Sequence, residues 1–190
     1  MLDAIDIVEK LSRVLETDYE GQEAKAAVAL LLLIVKQDLR VLFVKRVENP
    51  RDSWSGQMAL PGGKRDVEDR DLKETVIREV LEEININLLD HCRFLGVLCP
   101  QRSKQRPELT ILPFVILLEQ EPSIKMSEGE VERVLWVSLK ELVQSEETVT
   151  LSVGDRSAYI VGNHIIWGIT YRILREFVYA LTSQKRTHIC

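Results

Sequence analysis

Hydrophobic positions recur with two different periods along this chain, and each period predicts a different kind of element. Near the start, the apolar residues fall three to four positions apart, as in an amphipathic helix: Ile5, Val8, Leu11, Val14 and Leu15. We place this helix within residues 1–20. The next segment, Ala26–Val35, is continuously apolar. It is too short to span a bilayer and has the pattern of a strand buried on both faces.

The rest of the chain mixes strand-like and helix-like segments. The pattern predicts strands at residues 41–46, 93–98, 109–118 and 134–137, a small hairpin at 148–153 and 158–161, and helices at 71–84, 139–143 and 165–182. A loop rich in turn residues covers 47–63. Strands and helices that do not alternate strictly indicate an α+β fold or a mixed α/β sandwich. At 190 residues the chain fits a single domain, 1–190.

The predicted helix at 71–84 collects carboxylates on one stripe. Glu79 lies three residues before Glu82 and four before Glu83, so the three side chains point in the same direction. A hard divalent cation with oxygen ligands would offset their mutual repulsion. The preceding turn, Gly62 and Gly63, lets the backbone approach a ligand closely. Together these features indicate a Mg²⁺ or Mn²⁺ site that also takes phosphate groups.

The same stretch resembles the Nudix box, in which a Gly and an acidic position precede Arg-Glu-apolar-x-Glu-Glu-x-Gly-apolar. The second half of the box is similar to Arg-Glu-Val-Leu-Glu-Glu-Ile-Asn-Ile at residues 78–86. The segments at 54–63 and 166–170 resemble the coenzyme A diphosphatase-like subgroup of Nudix hydrolases, and the segment at 130–137 resembles a strand of the family in general. The resemblance covers residues 25–182 and implies the α/β/α sandwich of the Nudix fold.

The chain departs from the common box at two places. Asn85 takes the position of the usual Gly, and Asn is the next best residue at a left-handed helix end. The spacing from the glycine turn to Arg78 is one residue longer, so Arg70 stands where the first Glu is usual. In the family the box arginine locks the loop onto the helix. Its acidic partner here is Asp69 or Asp71, and the sequence does not choose between them.

The resemblance implies a role for each acidic residue of the box. Glu79 and Glu83 are expected to be direct metal ligands, and the carbonyl of Gly63 is expected to complete the metal shell. Glu82 is either a third ligand or the base that acts on metal-bound water. Glu83 is also included among the candidate catalytic residues.

A catalytic base from outside the box is a further expectation. Some Nudix enzymes take this base from another loop, and the segment Ser-Glu-Gly-Glu at 127–130 carries Glu128 and Glu130. One of these two residues is the candidate here. The alternative for Glu130 is a structural carboxylate at a strand edge.

Basic and aromatic residues near the glycine turn and in the loop at 100–107 are candidates for binding the substrate. Exposed N–H groups and basic side chains suit phosphate, and an indole suits stacking on a base. The candidates are Gly62, Lys64, Arg65, Arg46, Trp54, Arg102, Lys104 and Arg106. A solvated loop is the alternative for the basic cluster at 102–106. Tyr159 and Trp167 are further stacking candidates, with core packing as the alternative for Trp167.

Charge and cysteine content restrict the possible partners. The net charge is −5, which gives no indication of nucleic-acid or anionic-membrane binding. Cys92, Cys99 and Cys190 show no paired framework, so we expect free thiols in a reducing, cytoplasmic compartment. The acidic, amphipathic start is unlike a signal peptide. We expect a small-molecule nucleotide diphosphate as partner, no nucleic acid, no membrane, and a monomer or homodimer.

The resemblance implies an enzyme, a Nudix-type diphosphatase that hydrolyses the diphosphate bond in a nucleoside diphosphate linked to another moiety. Coenzyme A is one candidate substrate. Trp54 and Leu60 stand where the coenzyme A subgroup has His and Phe, so other nucleotide-linked diphosphates stay open. The alternative function is a catalytically silent domain that senses or binds a nucleotide, and the presence of all three box carboxylates argues against it. The acidic charge also argues against a role in nucleic-acid decapping.

Overall fold

The structure, a computed structural model, describes residues 3–19, 23–50 and 54–182. Within these residues the helices are α1 (Ala4–Val14), α2 (Leu72–Ile84), α3 (Leu139–Gln144) and α4 (Gly168–Thr182). The strands are β1 (Ala26–Val35), β2 (Asp38–Arg46), β3 (Met58–Ala59), β4 (Gly62–Lys64), β5 (Cys92–Val97), β6 (Gln101–Arg102), β7 (Thr110–Leu118), β8 (Val131–Ser138), β9 (Glu146–Leu151), β10 (Gly154–Val161) and β11 (His164–Ile166).

A large mixed sheet is built around β1. Along its main path the strands lie in the order β3-β2-β1-β7-β5, while β4 pairs with β1, β6 with β7 and β8 with β2. β1 runs parallel to β7, and the other pairings are antiparallel. β9, β10 and β11 form a separate antiparallel sheet. β1 therefore lies inside the large sheet, with a neighbouring strand along each edge.

The side chains of β1 alternate between two hydrophobic clusters, one on each face of the large sheet. Leu30 and Leu32 pack with residues of α1, α3 and α4, whereas Ala29 and Leu31 pack with residues of α2. Helices therefore cover both faces, and the expected α/β/α sandwich is confirmed. In the described ranges no helix is long and apolar enough to cross a membrane.

The predicted elements are right in kind and differ mainly at their ends. β1 has the predicted bounds. β2 begins at Asp38 rather than at residue 41, because the turn uses only Lys36 and Gln37, which have φ values of 48° and 67°. The predicted loop at 47–63 contains β3 and part of β4. The first helix ends at Val14, and Leu15 is already extended.

The final helix, predicted at 165–182, begins later than expected. His164–Ile166 pairs with β10 as β11, and α4 begins at Gly168. Gly168 has a φ of 67°, a left-handed conformation that suits glycine and redirects the chain between strand and helix. The isoleucines at 165 and 166 belong to the small sheet, where β-branched residues are favoured.

The cysteines are not all free thiols. Cys92 is free, and burial raises the pKa of its thiol. Cys99 is disulfide-bonded, so the expectation of free thiols is wrong for this residue. Cys190 lies outside the described residues. Cysteine usage therefore no longer supports a reducing compartment.

Candidate active site

A cavity of about 420 Å³ lies beside the glycine turn, within the size range of small-molecule sites. We call it the first cavity. Its charged wall is built from β2, β4, α2 and the segment before β8: Arg46, Lys64, Glu79, Glu83 and Glu130. Another part of its wall is apolar and includes Trp54, Leu109, Ile111, Ile169 and Ile173. The first cavity thus has an ionic part suited to phosphate chemistry and an apolar part suited to the rest of a ligand.

The glycine turn brings the sheet against the carboxylate helix. In β4, Gly62 lies opposite Val28 and Gly63 lies opposite Ala27. Gly62 has a φ of 139°, and a Cβ there would lie 2.3 Å from the carbonyl oxygen of Ala27, so only glycine fits. A Cβ on Gly63 would lie 2.4 Å from a carboxylate oxygen of Glu79. The close approach expected of this turn is therefore made to the helix itself.

Both ends of α2 are closed by the residues next to it. Asp71 is the N-cap, and its carboxylate accepts a hydrogen bond from the backbone N–H of Glu74 at 2.8 Å. Asn85 ends the helix in a left-handed conformation with φ 59° and ψ 31°, and its N–H donates to the carbonyl of Leu81. The interpretation of Asn as a substitute for the usual glycine is confirmed.

Arg78 ties α2 to the loop that precedes it. Its Nε and Nη2 atoms donate to the two carboxylate oxygens of Asp69 at 3.0 and 2.9 Å, a bidentate arrangement. Nη2 also donates to the carbonyl of Lys64 at 3.1 Å. Nη1 donates to Glu79 at 2.9 Å and to Glu82 at 3.1 Å. One guanidinium therefore fixes the loop, the end of β4 and two box carboxylates.

Asp69 is buried and stays ionised because of this contact. The hydrogen bond from Arg78 holds the pKa of Asp69 well below its ordinary value, against the opposing effect of burial, and the backbone N–H of Asp66 assists at 2.8 Å. The hydrogen bond to Asp69 likewise raises the pKa of Arg78. Of the two residues that the sequence left open, Asp69 pairs with Arg78, whereas Asp71 caps the helix.

Glu83 is the most deeply buried of the box carboxylates, with a side chain 4% exposed. Its Oε2 accepts the Gly62 N–H at 2.9 Å, and Nη1 of Arg46 lies 3.7 Å from its Oε1. Burial raises the pKa of Glu83 to about 7, the Gly62 and Arg46 contacts lower it, and the charges of Glu79 and Glu130 raise it further. A nearby cation would stabilise the charged form of a carboxylate in these surroundings.

The pKa of Glu79 is also raised. Burial raises its pKa in spite of Arg78, and the charges of Glu82 and Glu130 act in the same direction. Glu79, Glu83 and Glu130 thus lie together at the wall of the first cavity, and burial raises the pKa of Glu79 and Glu83. Carboxylate oxygen atoms are the donors that Mg²⁺ or Mn²⁺ prefers. The donor chemistry of these residues, carboxylate oxygen, suits such an ion. No group of three or more His, Cys, Asp or Glu residues is already close enough to hold a metal in residues 3–19, 23–50 and 54–182.

The remaining acidic candidates differ in position. The side chain of Glu82 is 55% exposed and contacts Arg78. Glu128 and Glu130 are both exposed, but Glu130 lines the first cavity and Glu128 does not. The segment that carries both is fastened to the end of α2, because the Ser127 N–H donates to the carbonyl of Glu83 at 2.9 Å. A second such bond joins the N–H of residue 125 to the carbonyl of residue 84 at 3.2 Å.

The predicted substrate-binding residues separate into two groups. Gly62, Lys64, Arg46, Trp54 and Arg106 line the first cavity. The guanidinium of Arg106 lies over the Trp54 ring, 4.6 Å from its centroid, which is a cation–π contact.

Three other basic candidates lie elsewhere. Arg65 donates to the backbone carbonyls of residues 69 and 70, so its guanidinium fixes the loop. Arg102 is exposed and donates to the carbonyl of Pro107. Lys104 is exposed and does not line the first cavity.

Two aromatic candidates are also outside the site. Tyr159 is 1% exposed and packs against Tyr171 with ring centroids 5.2 Å apart, so it is a core residue. Trp167 is half-buried and does not line the first cavity. Ile169 and Ile173 of α4 also line the first cavity, and the sequence does not predict this. Helical periodicity shows that a helix has an apolar face, but not which surface that face covers.

Comparison with known proteins agrees with this fold. A family model described as the NUDIX domain matches residues 24–153, and the chain belongs to the Nudix hydrolase family. An uncharacterised Nudix hydrolase, NudL of Photorhabdus laumondii, is 32% identical over 156 residues, which are 79% of this chain and 81% of the relative. The family and the fold class expected from the box are thus confirmed.

Two further relatives match with lower coverage of their own length. The peroxisomal coenzyme A diphosphatase ndx-8 of Caenorhabditis elegans is 31% identical over 140 residues, covering 73% of this chain and 58% of the relative. An uncharacterised protein of Schizosaccharomyces pombe is 38% identical over 123 residues, covering 62% of this chain but 37% of that protein. This chain therefore spans less than two thirds of the length of either relative.

Solved structures share the fold at low sequence identity. The NUDIX domain of Shewanella oneidensis NrtR, crystallised with ADP ribose, has a TM-score of 0.55 and 19% identity, covering 87% of this chain and 94% of that chain. A MutT/nudix family protein from Enterococcus faecalis has a TM-score of 0.57 and 18% identity, covering 88% of this chain and 65% of that chain.

Proposed function

We propose that this protein is a metal-dependent diphosphatase that hydrolyses the diphosphate bond in a nucleoside diphosphate linked to another moiety. The observation that carries the proposal is the convergence of Glu79, Glu83 and Glu130 on one cavity beside the Gly62 and Gly63 turn. Nudix hydrolases generally use divalent metal ions, and the donor set of this wall suits Mg²⁺ or Mn²⁺. A cytoplasmic location and a monomeric or homodimeric state stay predictions.

The metal-binding residues in this proposal are Glu79 and Glu83, with Glu82 and the carbonyl of Gly63 as further ligands. When bound, the ion neutralises phosphate oxygens and lowers the pKa of a bound water. Arg78 holds Glu79 and Glu82 through the hydrogen bonds described above. The protein thus supplies ligands that are oriented before substrate arrives, which limits the entropic cost of assembling the site.

The other residues of the first cavity bind substrate and move the proton. Arg46 and Lys64 lie on the same wall as the carboxylates, which supports them as the proposed ligands of phosphate oxygens. Glu130 is the proposed base, which accepts a proton from the attacking water. The apolar wall, with Trp54 at one side, receives the part of the substrate that is not phosphate.

Coenzyme A is the substrate that we propose to test first. The worm relative is named as a coenzyme A diphosphatase, and the first cavity combines a phosphate-binding wall with apolar surface. ADP-ribose is a second member of the panel because the Shewanella domain was crystallised with it. NADH, diadenosine polyphosphates, nucleotide sugars and nucleoside triphosphates complete the panel.

The test is a mass-spectrometric product screen of this panel with Mg²⁺ or Mn²⁺. We expect turnover that needs metal and is lost in Glu83→Gln, since this change removes a buried charge that the proposal gives to the metal. Glu141→Gln, the same change on the exposed surface of α3, is the control and keeps turnover. Cleavage of another diphosphate keeps the mechanism and rejects coenzyme A. Binding without cleavage of any compound rejects the diphosphatase.

A further inference from the structure

Helix α4 lines the first cavity and also holds the strand beside it. Ile169 and Ile173 of this helix line the cavity. Arg172 and Glu176 each follow one of these isoleucines by three residues, so they lie on a neighbouring part of the helix surface. Nη2 of Arg172 donates to the carbonyl of Arg102 in β6 at 2.6 Å. The same helix therefore contacts both the cavity and β6.

The carboxylate of Glu176 binds the turn between β5 and β6. Its Oε1 accepts the backbone N–H of Cys99 at 2.6 Å, and its Oε2 accepts a hydrogen bond from Nε2 of Gln101 at 2.8 Å. Burial raises the pKa of Glu176, whereas the hydrogen bonds from Cys99 and Gln101 lower it. Glu176 forms no salt bridge within residues 3–19, 23–50 and 54–182. Hydrogen bonds to an ionised acceptor are stronger than those between neutral groups, so this half-buried carboxylate holds the turn firmly.

The turn between β5 and β6 leads directly into the wall of the first cavity. Gln101 lies opposite Ile111 in the pairing of β6 with β7, and Ile111 lines the cavity. The β6–β7 loop carries Arg106 and Leu109, which also line it. Backbone bonds close this loop on itself, since the N–H of Ser103 donates to Leu109 at 2.9 Å and that of Leu109 donates to Arg106 at 2.8 Å. A displacement of β6 would therefore move the lining residues of the loop together.

We propose that Glu176 is a positioning residue for substrate binding, which acts through the β5–β6 turn and the β6–β7 loop on the wall of the first cavity. The proposal rests on the proposed function and adds a residue that does not itself line the cavity. The guanidinium of Arg106 lies over the ring of Trp54, so a shift of the loop would separate these two groups and change the shape of the cavity. The box carboxylates lie on α2. Loss of the Glu176 contacts therefore weakens substrate binding and leaves hydrolysis of bound substrate intact.

The first experiment separates binding from hydrolysis in Glu176→Ala, with coenzyme A and ADP-ribose as substrates in the presence of Mg²⁺ or Mn²⁺. We expect KM to rise by about tenfold, the effect of losing one hydrogen bond to a charged group. We expect kcat to stay within about twofold of the wild type, because the change removes binding that is equal in the ground state and the transition state. A merely structural role would reduce the amount of active enzyme, which lowers the apparent kcat and leaves KM unchanged.

Three further variants make this result specific. Glu176→Gln keeps an oxygen for the Cys99 N–H, and rotation of the Gln101 amide restores the second hydrogen bond, so we expect KM close to that of the wild type. Gln101→Ala removes one contact and leaves α4 intact, so we expect KM to rise in it too, which tests the proposal even where Glu176→Ala fails to fold. Glu141→Ala, on the exposed surface of α3, keeps the wild-type KM. The disulfide at Cys99 is common to all these proteins. An unchanged KM in both Glu176→Ala and Gln101→Ala overturns the proposal.

The second experiment needs no turnover. Hydrogen exchange followed by mass spectrometry compares the backbone amides of residues 99–109 with those of α2. We expect faster exchange at 99–109 in Glu176→Ala but not in Glu176→Gln or Glu141→Ala, with α2 unchanged in all three. Unchanged exchange at 99–109 in Glu176→Ala overturns the proposal. Faster exchange there, without cleavage of either substrate by the wild type, rejects hydrolysis of these substrates and leaves the link from Glu176 to the cavity wall standing.

Discussion

The pairing of Asp69 with Arg78 is the contact on which the geometry of the site depends most directly, and Asp69→Asn tests it. The substitution keeps the shape of the side chain and removes its charge. One oxygen remains to accept the N–H of Asp66, but the new amide N–H₂ group faces the guanidinium of Arg78 instead of accepting from it. We therefore expect the loop to loosen from α2 and the protein to lose stability.

The size of this loss follows from burial and from the contacts that remain. The side chain of Asp69 is 6% exposed and that of Arg78 is 31% exposed. Breaking a fully buried ion pair by removing one partner costs about 3–5 kcal/mol. Arg78 is partly exposed here and keeps its bonds to Glu79 and Glu82, so we expect about 2 kcal/mol. In a domain of this size that lowers Tm by about 4–8 °C.

The effect of Asp69→Asn depends on pH. The folded-state pKa of Asp69 is lowered, so its stabilisation is fully present above the ordinary aspartate pKa of about 3.9 and is lost as the pH falls below it. The difference in unfolding free energy between wild type and variant is therefore expected to be constant from neutral pH to about pH 5 and to shrink below about pH 4. Urea denaturation followed by circular dichroism measures it at each pH.

Asp71→Asn is the matched control, because it is the same substitution two residues away. Asn caps a helix about as well as Asp, so the unfolding free energy changes by less than about 0.5 kcal/mol. Equal losses in the two variants, or a loss in Asp69→Asn that does not shrink in acid, would refute the assignment of Asp69 as the partner of Arg78.

Two further predictions concern the carboxylates of the first cavity. Glu130→Gln is expected to lower kcat by about 10²–10⁴-fold, the usual contribution of a general base, whereas Glu128→Gln leaves kcat unchanged. Steady-state kinetics measure kcat for both variants. Similar losses of kcat in the two variants would contradict the role of Glu130 as the base. Gly63→Ala keeps the fold but displaces Glu79, 2.4 Å from the added Cβ, so more Mn²⁺ is needed for half-maximal activity. Gly62→Ala instead lowers Tm, since its Cβ meets a backbone oxygen at 2.3 Å; unchanged melting there would show that the turn relaxes.

Features that depend on neighbours in the sequence were predictable. The bounds of α2 follow within one residue from the apolar period and the position of the cap. The choice between Asp69 and Asp71 needs the true helix start at Leu72 rather than the predicted start at residue 71, because the N-cap rule takes the residue just before the first helical position. Applying that rule to Asp71 leaves Asp69 for Arg78.

Features that depend on distant packing were not predictable from one sequence. Arg65 looked like a phosphate ligand, but its guanidinium is used by loop carbonyls. Glu128 and Glu130 are equivalent in the sequence, and only the path of the chain after α2 brings Glu130 to the first cavity. The contribution of Ile169 likewise depends on where α4 crosses the sheet, which periodicity does not specify.

The backbone bonds between the end of α2 and residues 125 and 127 also bear on motion during turnover. Carbonyl groups at a helix C-terminus need donor partners outside the helix, and here the segment before β8 supplies two N–H donors. Glu130 follows three residues after Ser127, so we expect it to move with the helix that carries Glu79 and Glu83. We therefore expect this segment to act as a fixed wall rather than a lid. Product departure would then be uncoupled from any opening of this segment, in contrast to enzymes in which closing loops limit turnover.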